Sequence, residues 1–96
     1  MIKYRTHDEY LIECFKADPS EAVGFLNVCI EDEDPRIFLK ALSLVAKAHG
    51  FTKLSKKSEI SRMGLYKTVS KNGNPEFKTL LAILKATGIR LSFRAT

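Results

Sequence analysis

The run SRMGLYKTVS, residues 61–70, places Arg62, Met63, Tyr66 and Lys67 on the outer face of a short helix. Leu65 and Val69, four apart, fall on the inner face, and Ser61 is placed to cap the start. A solvated surface helix ordinarily carries a mixture of Glu, Lys and Gln. A guanidinium, a thioether, a phenol and an ammonium side by side suit a different chemistry. Arg62 can donate two hydrogen bonds to guanine O6 and N7. Met63 and Tyr66 can pack on thymine methyls or sugar, Tyr66 can also donate to phosphate, and Lys67 can reach either base or phosphate. For any one of these residues a solvated surface is an equal alternative. The set together favours reading base edges.

A helix that enters a major groove needs a second helix to brace it. TKLSKKS, residues 52–58, supplies one, with Leu54, Ile60 and Leu65 at the positions that hold the pair together. Three or four residues separate the two helices, the spacing of a helix-turn-helix. Thr52 is the expected cap of the first helix, and Thr52, Lys53, Lys56 and Lys57 can meet phosphates. Gly64 lets the second helix approach a duplex closely. Beyond it, KNGNP reads as a loop in which Asn-Gly favours positive φ. Lys71, Asn72 and Asn74 offer further phosphate contacts there. Asn74 and Pro75 also form a cap and a first helical residue.

The elements that must position these groups are helical. Thr6 and Glu9 form a capping box before Leu11, Cys14 and Phe15. Asp18-Pro19 and Asp34-Pro35 each read as cap plus first helical residue. They precede the stripes Ala22, Phe25, Leu26, Cys29, Ile30 and Phe38, Ala41, Leu42, Val45. The first of these helices is expected to fray at its acidic end. Gly50 closes the second, with Lys47 and His49 favourably placed in its last turn. The last helix presents Phe77, Leu80, Leu81 and Leu84 on one face and stops at Gly88. In the tail Ile89, Leu91 and Phe93 alternate with Arg90, Ser92 and Arg94, a half-buried strand pattern. A lone strand needs a partner. A second copy across a two-fold axis is the simplest, which makes Ile89, Leu91 and Phe93 dimerisation residues and the protein a homodimer.

With 96 residues, 45% of them hydrophobic, one domain with a modest core is expected. Residues 1–34 carry three Lys/Arg against nine Asp/Glu, a net −6. Residues 35–96 carry thirteen against two, a net +11. An acidic helical extension, 1–34, therefore precedes a basic unit, 35–96, within one compact whole. The basic unit fits a polyanion, nucleic acid first. The acidic part faces solvent or a basic protein. No apolar stretch is long enough to span a bilayer and no secretory signal is evident, so the cytoplasm is the expected location. Cys14 and Cys29 are expected as reduced core residues. No CxxC or HxxxH spacing suggests a metal, and no cofactor is expected. No nucleophile–base pairing or phosphate-binding glycine loop suggests an enzyme.

The run ALSLVAKAHGFTKLSKKSEISRMGLYKTVSKNGNPEFKTLLAILKATGIRLSF resembles the addiction-module antidote (antitoxin) family of Cro/C1-type helix-turn-helix proteins. Ser61, Arg62, Leu65, Tyr66, Gly73, Asn74, Pro75, Thr79 and Leu80 match that family's pattern, and DEYLIECFKADPSEAVGFLNVCIEDEDP resembles its N-terminal part. The resemblance implies an all-α, Cro/C1-like (lambda repressor-like) helix-turn-helix bundle with N-terminal helices and one short C-terminal β-strand. It implies a repressor that binds double-stranded DNA at its own operator and neutralises a small basic toxin of the RelE/HigB type. Two alternatives stay open: a toxin-binding interaction module with weak DNA binding, and a phage-type repressor without a toxin. The chain departs from the pattern at Glu59, where the turn usually holds glycine, at Ser55, usually alanine, and at Met63-Gly64, usually a more polar pair.

Overall fold

Polar caps fix where the first helices begin. The computed structural model describes residues 6–70 and 72–96. Thr6 Oγ1 accepts the Glu9 N–H at 3.1 Å and opens α1 (His7–Ala17). Asp18 accepts the N–H and the hydroxyl of Ser20, with Pro19 leading α2 (Pro19–Cys29). Asp34 accepts the Arg36 N–H at 3.0 Å, with Pro35 leading α3 (Pro35–His49). Each proline occupies a position where a missing N–H costs nothing. Helix α2 stops at Cys29, ahead of Glu31, Asp32 and Glu33, whose charges oppose a helix C-terminus.

Gly50, at φ 100°, is the one residue between α3 and α4 (Phe51–Ser58). Helix α4 thus starts one residue before the expected cap. Thr52 lies inside it, and no side chain caps its start. Phe51 is buried in the core, which draws the chain into helical form there. Residues 59–61 lead to α5 (Arg62–Thr68), and α6 (Phe77–Thr87) follows. Asn74 and Pro75 do not begin α6. Glu76 precedes its first residue and accepts the Thr79 and Leu80 N–H groups through its carbonyl. Pro75 instead lines a shallow cavity together with Phe38 and Leu39.

Helix α3 is the centre of the fold and packs against α1, α2, α4 and α6. Seven of its residues are buried: Leu39, Ala41, Leu42, Ser43, Leu44, Val45 and Ala46. A helix enclosed on several sides is buried nearly all round, so the stripe Phe38, Ala41, Leu42, Val45 captures only part of it. Asp8 and Lys40, 2.7 Å apart, add a surface ion pair between α1 and α3, an interaction worth about 0.2–1 kcal/mol. On α6 the inner residues are Ile83, Leu84 and Ala86, with Leu80 half-buried. Phe77, expected inside, is 61% exposed.

Gly88, at φ 83°, ends α6, and the Ile89 N–H returns to the Leu84 carbonyl at 3.0 Å. This is a glycine helix stop with its longer bond in place. The expected C-terminal strand is not formed, and among the described residues there is no strand at all. Every other element is a helix, so residues 89–96 meet no extended backbone with which to make a ladder. The described chain is all-α.

Candidate nucleic-acid interface

Helix α5 has an inner face that is fixed and an outer face that is open. Ser61 Oγ accepts the Gly64 N–H at 3.0 Å and caps the first turn. Leu65 is completely buried and Val69 nearly so. Arg62, Met63, Tyr66 and Lys67 are all exposed on one short helix. Tyr66 is less free than the sequence implies. Its ring stacks on Phe51 of α4, with centroids 4.3 Å apart and planes at 30°. The stack leaves the ring half-exposed and limits its rotamers, so Phe51 positions a candidate contact residue. Its place directly after Gly50 gave little warning of that role. Gly64 has a local reason as well. A Cβ there would stand 3.1 Å from both Ile60 Cγ2 and Ser61 Oγ, so the missing side chain makes room for the turn and its cap.

The turn itself keeps the left-handed residue that a glycine would supply. Glu59 has φ 62° and ψ 16°, the one positive φ at a non-glycine residue among the described positions. Its N–H closes α4 on the Ser55 carbonyl at 3.0 Å. Ser55 then crosses the turn: its hydroxyl donates to the Ile60 carbonyl at 2.7 Å, while Ser58 Oγ accepts the Ile60 N–H. The two serines hold the backbone in a conformation that glutamate resists by about 1–2 kcal/mol. Glycine removes that strain but regains about 0.5–1 kcal/mol of freedom in the unfolded chain. Glu59→Gly is therefore expected to raise stability by about 0.5–1 kcal/mol. In a domain of this size that is a rise of about 4–8 °C per kcal/mol in the thermal midpoint, readable by circular dichroism.

The candidate phosphate residues of α4 divide between two faces. Lys53 and Lys57, four apart, line a cavity of about 690 Å³ with Lys16 of α1, His49 of α3 and the end of α6. Thr52 and Lys56 are each offset from them by one residue, about 100° around the helix. All four are exposed. Lys57 Nζ approaches His49 Nε2 at 3.4 Å. Burial lowers the pKa of His49 below its ordinary 6.5, and the charges of Lys57 and Lys53 add to the effect. The folded protein therefore prefers neutral imidazole, while the unfolded chain takes up the proton first as pH falls. Stability from His49 is complete above pH 6.5 and is lost as pH drops through the folded pKa. Urea midpoints measured from pH 7.5 to 5 are expected to fall in the parent protein and to fall less in His49→Gln.

In the loop after α5, Asn72 and Asn74 are exposed, and Lys71 lies outside the described residues. Gly73 does not take positive φ. Its N–H donates to the Ser70 carbonyl at 2.9 Å, so that group is already occupied. The tail residues expected at a dimer interface differ in burial. Ile89 and Leu91 are half-buried against the chain's own core, whereas Phe93 is 85% exposed. Cys14 and Cys29 are free thiols, and burial pushes the Cys29 thiol pKa up, with Asp32 adding to it. Among the described residues no group of three or more His, Cys, Asp or Glu could hold a metal ion. Nor is any helix long and apolar enough to cross a membrane.

A family model described as "Probable addiction module antidote protein" matches residues 9–95. A Haemophilus influenzae (strain ATCC 51907 / DSM 11121 / KW20 / Rd) protein, described only as uncharacterized, is 33% identical over 66 residues. That alignment covers 69% of this chain and 68% of the relative. No solved structure matches.

Proposed function

The chain belongs to the addiction module antidote family, and on that footing we propose that it is an antitoxin that also represses its own operon by binding double-stranded DNA. The family implies a toxin as partner. In this proposal α4 and α5 form a Cro/C1-like helix-turn-helix. Arg62, Met63, Tyr66 and Lys67, with the Ser61 cap, meet base edges, and Thr52, Lys56 and the loop residues Asn72 and Asn74 meet phosphate. Lys53 and Lys57 share that task only where the duplex reaches their side of α4. A homodimer would set two α5 helices about 34 Å apart, in successive major grooves. The toxin is a small basic protein of the RelE/HigB type. No chemistry is involved; occupancy of the promoter represses, and occupancy of the toxin neutralises.

The observation that supports this best is the outer face of α5. Four side chains able to read or grip DNA stand together in solvent, above an inner face locked by Leu65, Val69 and a capped first turn. The test is binding to the DNA upstream of the gene, compared with scrambled DNA at two salt concentrations. Arg62→Ala is expected to weaken binding by about 1–3 kcal/mol and to relax preference at one base pair. An Arg62→Ala protein that binds both DNAs as the parent does removes the base-reading role. The exposed Glu59 carboxylate in the turn favours a second reading, an interaction module with weak DNA binding. Equal, weak affinity for both DNAs would support it.

A further inference from the structure

Two shallow cavities adjoin beside the end of α2. The first, about 300 Å³, lies between the turn after α2, the start of α3, and Pro75 and Leu80. The second, about 160 Å³, lies between Val23 of α2 and Leu91 of the tail. Ile30 and Phe38 line both, so the two adjoin across those side chains as an apolar trough in two parts. Ile30 is 50% exposed, although Leu26 and Cys29 of the same stripe are buried. Phe77, one turn before Leu80 on α6, adds further exposed apolar surface at that end.

The charge around the trough is directional. Asp32 lines the first cavity, and Glu31, Asp32 and Glu33 are all exposed. Among the described residues none of the three makes an ion pair, whereas Asp8, Glu13, Asp34 and Glu76 each have a cation. Arg90 lines the second cavity. Three adjacent carboxylates repel one another; the Asp34 N–H, donating to Asp32 Oδ1 at 2.8 Å, offsets part of that cost, but no cation within the described chain does. A partner with cations at one end would do so, while its apolar stripe fills the trough.

We infer that this trough is the toxin-docking face, and that it takes an amphipathic helix whose Lys or Arg residues meet Glu31, Asp32 and Glu33. The inference rests on the antitoxin role proposed above. It is independent of DNA binding, because α5 presents a separate set of exposed residues. A second copy of this chain is the competing occupant, and the test separates the two.

The probe is a fluorescein-labelled amphipathic helix of Leu and Lys, about 18 residues long, with a Leu/Glu peptide of the same spacing as control. Anisotropy is read at about 0.1 M salt, with light scattering on the same samples. The Leu/Lys helix is expected to bind about tenfold or more tighter than the Leu/Glu one. Ile30→Glu, and separately the double change Glu31→Lys with Asp32→Lys, should each weaken it about tenfold, while Glu13→Gln, exposed on α1 away from both cavities, leaves it unchanged. Unfolding curves by circular dichroism show whether each variant is folded. Because Ile30 is half-exposed and the acidic residues are at the surface, the second variant carries the test if the first unfolds. Equal binding of both peptides overturns the inference, as does parental affinity in the charge-reversed protein. So does a fall in oligomer mass in that protein, which assigns the face to a second copy. If the charge-reversed protein still neutralises a co-expressed toxin from the adjacent gene, the docking face is wrong and the antitoxin role stands. If the parent protein itself fails to neutralise, the role fails.

Discussion

Leu65→Ala is expected to lower the unfolding free energy by about 2–5 kcal/mol, the range for deleting a fully buried leucine. Leu65 is 0% exposed and is the central inward side chain of a seven-residue helix. Helix α5 is too short to hold itself and depends on packing against α4. Its remaining anchors are Val69, the Tyr66–Phe51 stack and the Ser61 cap. The loss is a large part of the 5–15 kcal/mol that holds a typical domain. A second measurement gives the variant its meaning. Leu44→Ala, in the centre of α3, should cost a similar amount of stability. Once DNA affinity is corrected for the folded fraction, Leu44→Ala should bind like the parent and Leu65→Ala should bind more weakly. Denaturant unfolding with a DNA titration at the same temperature checks both. Identical corrected affinities would separate Leu65 from the interface.

Gly73→Ala is expected to cost about 1–3 kcal/mol, as overpacking does. A Cβ at this position would collide with the Thr68 carbonyl oxygen and stand 2.9 Å from that of Lys67. Both are backbone atoms, so no side chain can swing aside. The last turn of α5 and the loop would have to part, weakening the Gly73 N–H bond to the Ser70 carbonyl. Asn72→Ala, one residue away and exposed, is the control and should stay within about 0.5 kcal/mol of the parent. Urea midpoints decide the matter. A neutral Gly73→Ala would mean that the loop opens without cost.

Local signals were legible in the sequence where one residue decides the outcome. Thr6, Asp18, Asp34 and Ser61 cap as their types and spacing indicate, because a cap is a bond between near neighbours. The left-handed Glu59 was not legible in that way: glutamate rarely takes positive φ, which pointed to a reshaped turn, yet the turn keeps that conformation. Burial was less legible, because it depends on what arrives from elsewhere. In FKTLLAILKAT several registers of apolar residues overlap, and periodicity alone cannot favour Ile83 over Phe77. Tertiary packing chose Ile83. Leu44 and Ala46 lie off the expected stripe of α3, and they are buried because other helices surround it. The tail alternates as a strand would, yet alternation supplies no neighbouring strand. Asn74-Pro75 looks like Asp18-Pro19, but α6 begins only at Phe77, after Glu76. At the candidate interface the exposed set was readable from spacing. The Phe51 ring beneath Tyr66 and the Ser55 bond across the turn were not, since each joins residues on different elements.

Helix α3, enclosed by α1 and α2 as well as by α4 and α6, has a consequence for turnover. A protease that cut the exposed segment 31–33 and released the acidic third would uncover much of α3. The remainder would lose its core along with the part removed. No trimmed form should persist that keeps the outer face of α5 and lacks the acidic third. Both surfaces of the molecule then disappear on one clock, and a cell that degrades this chain relinquishes them together.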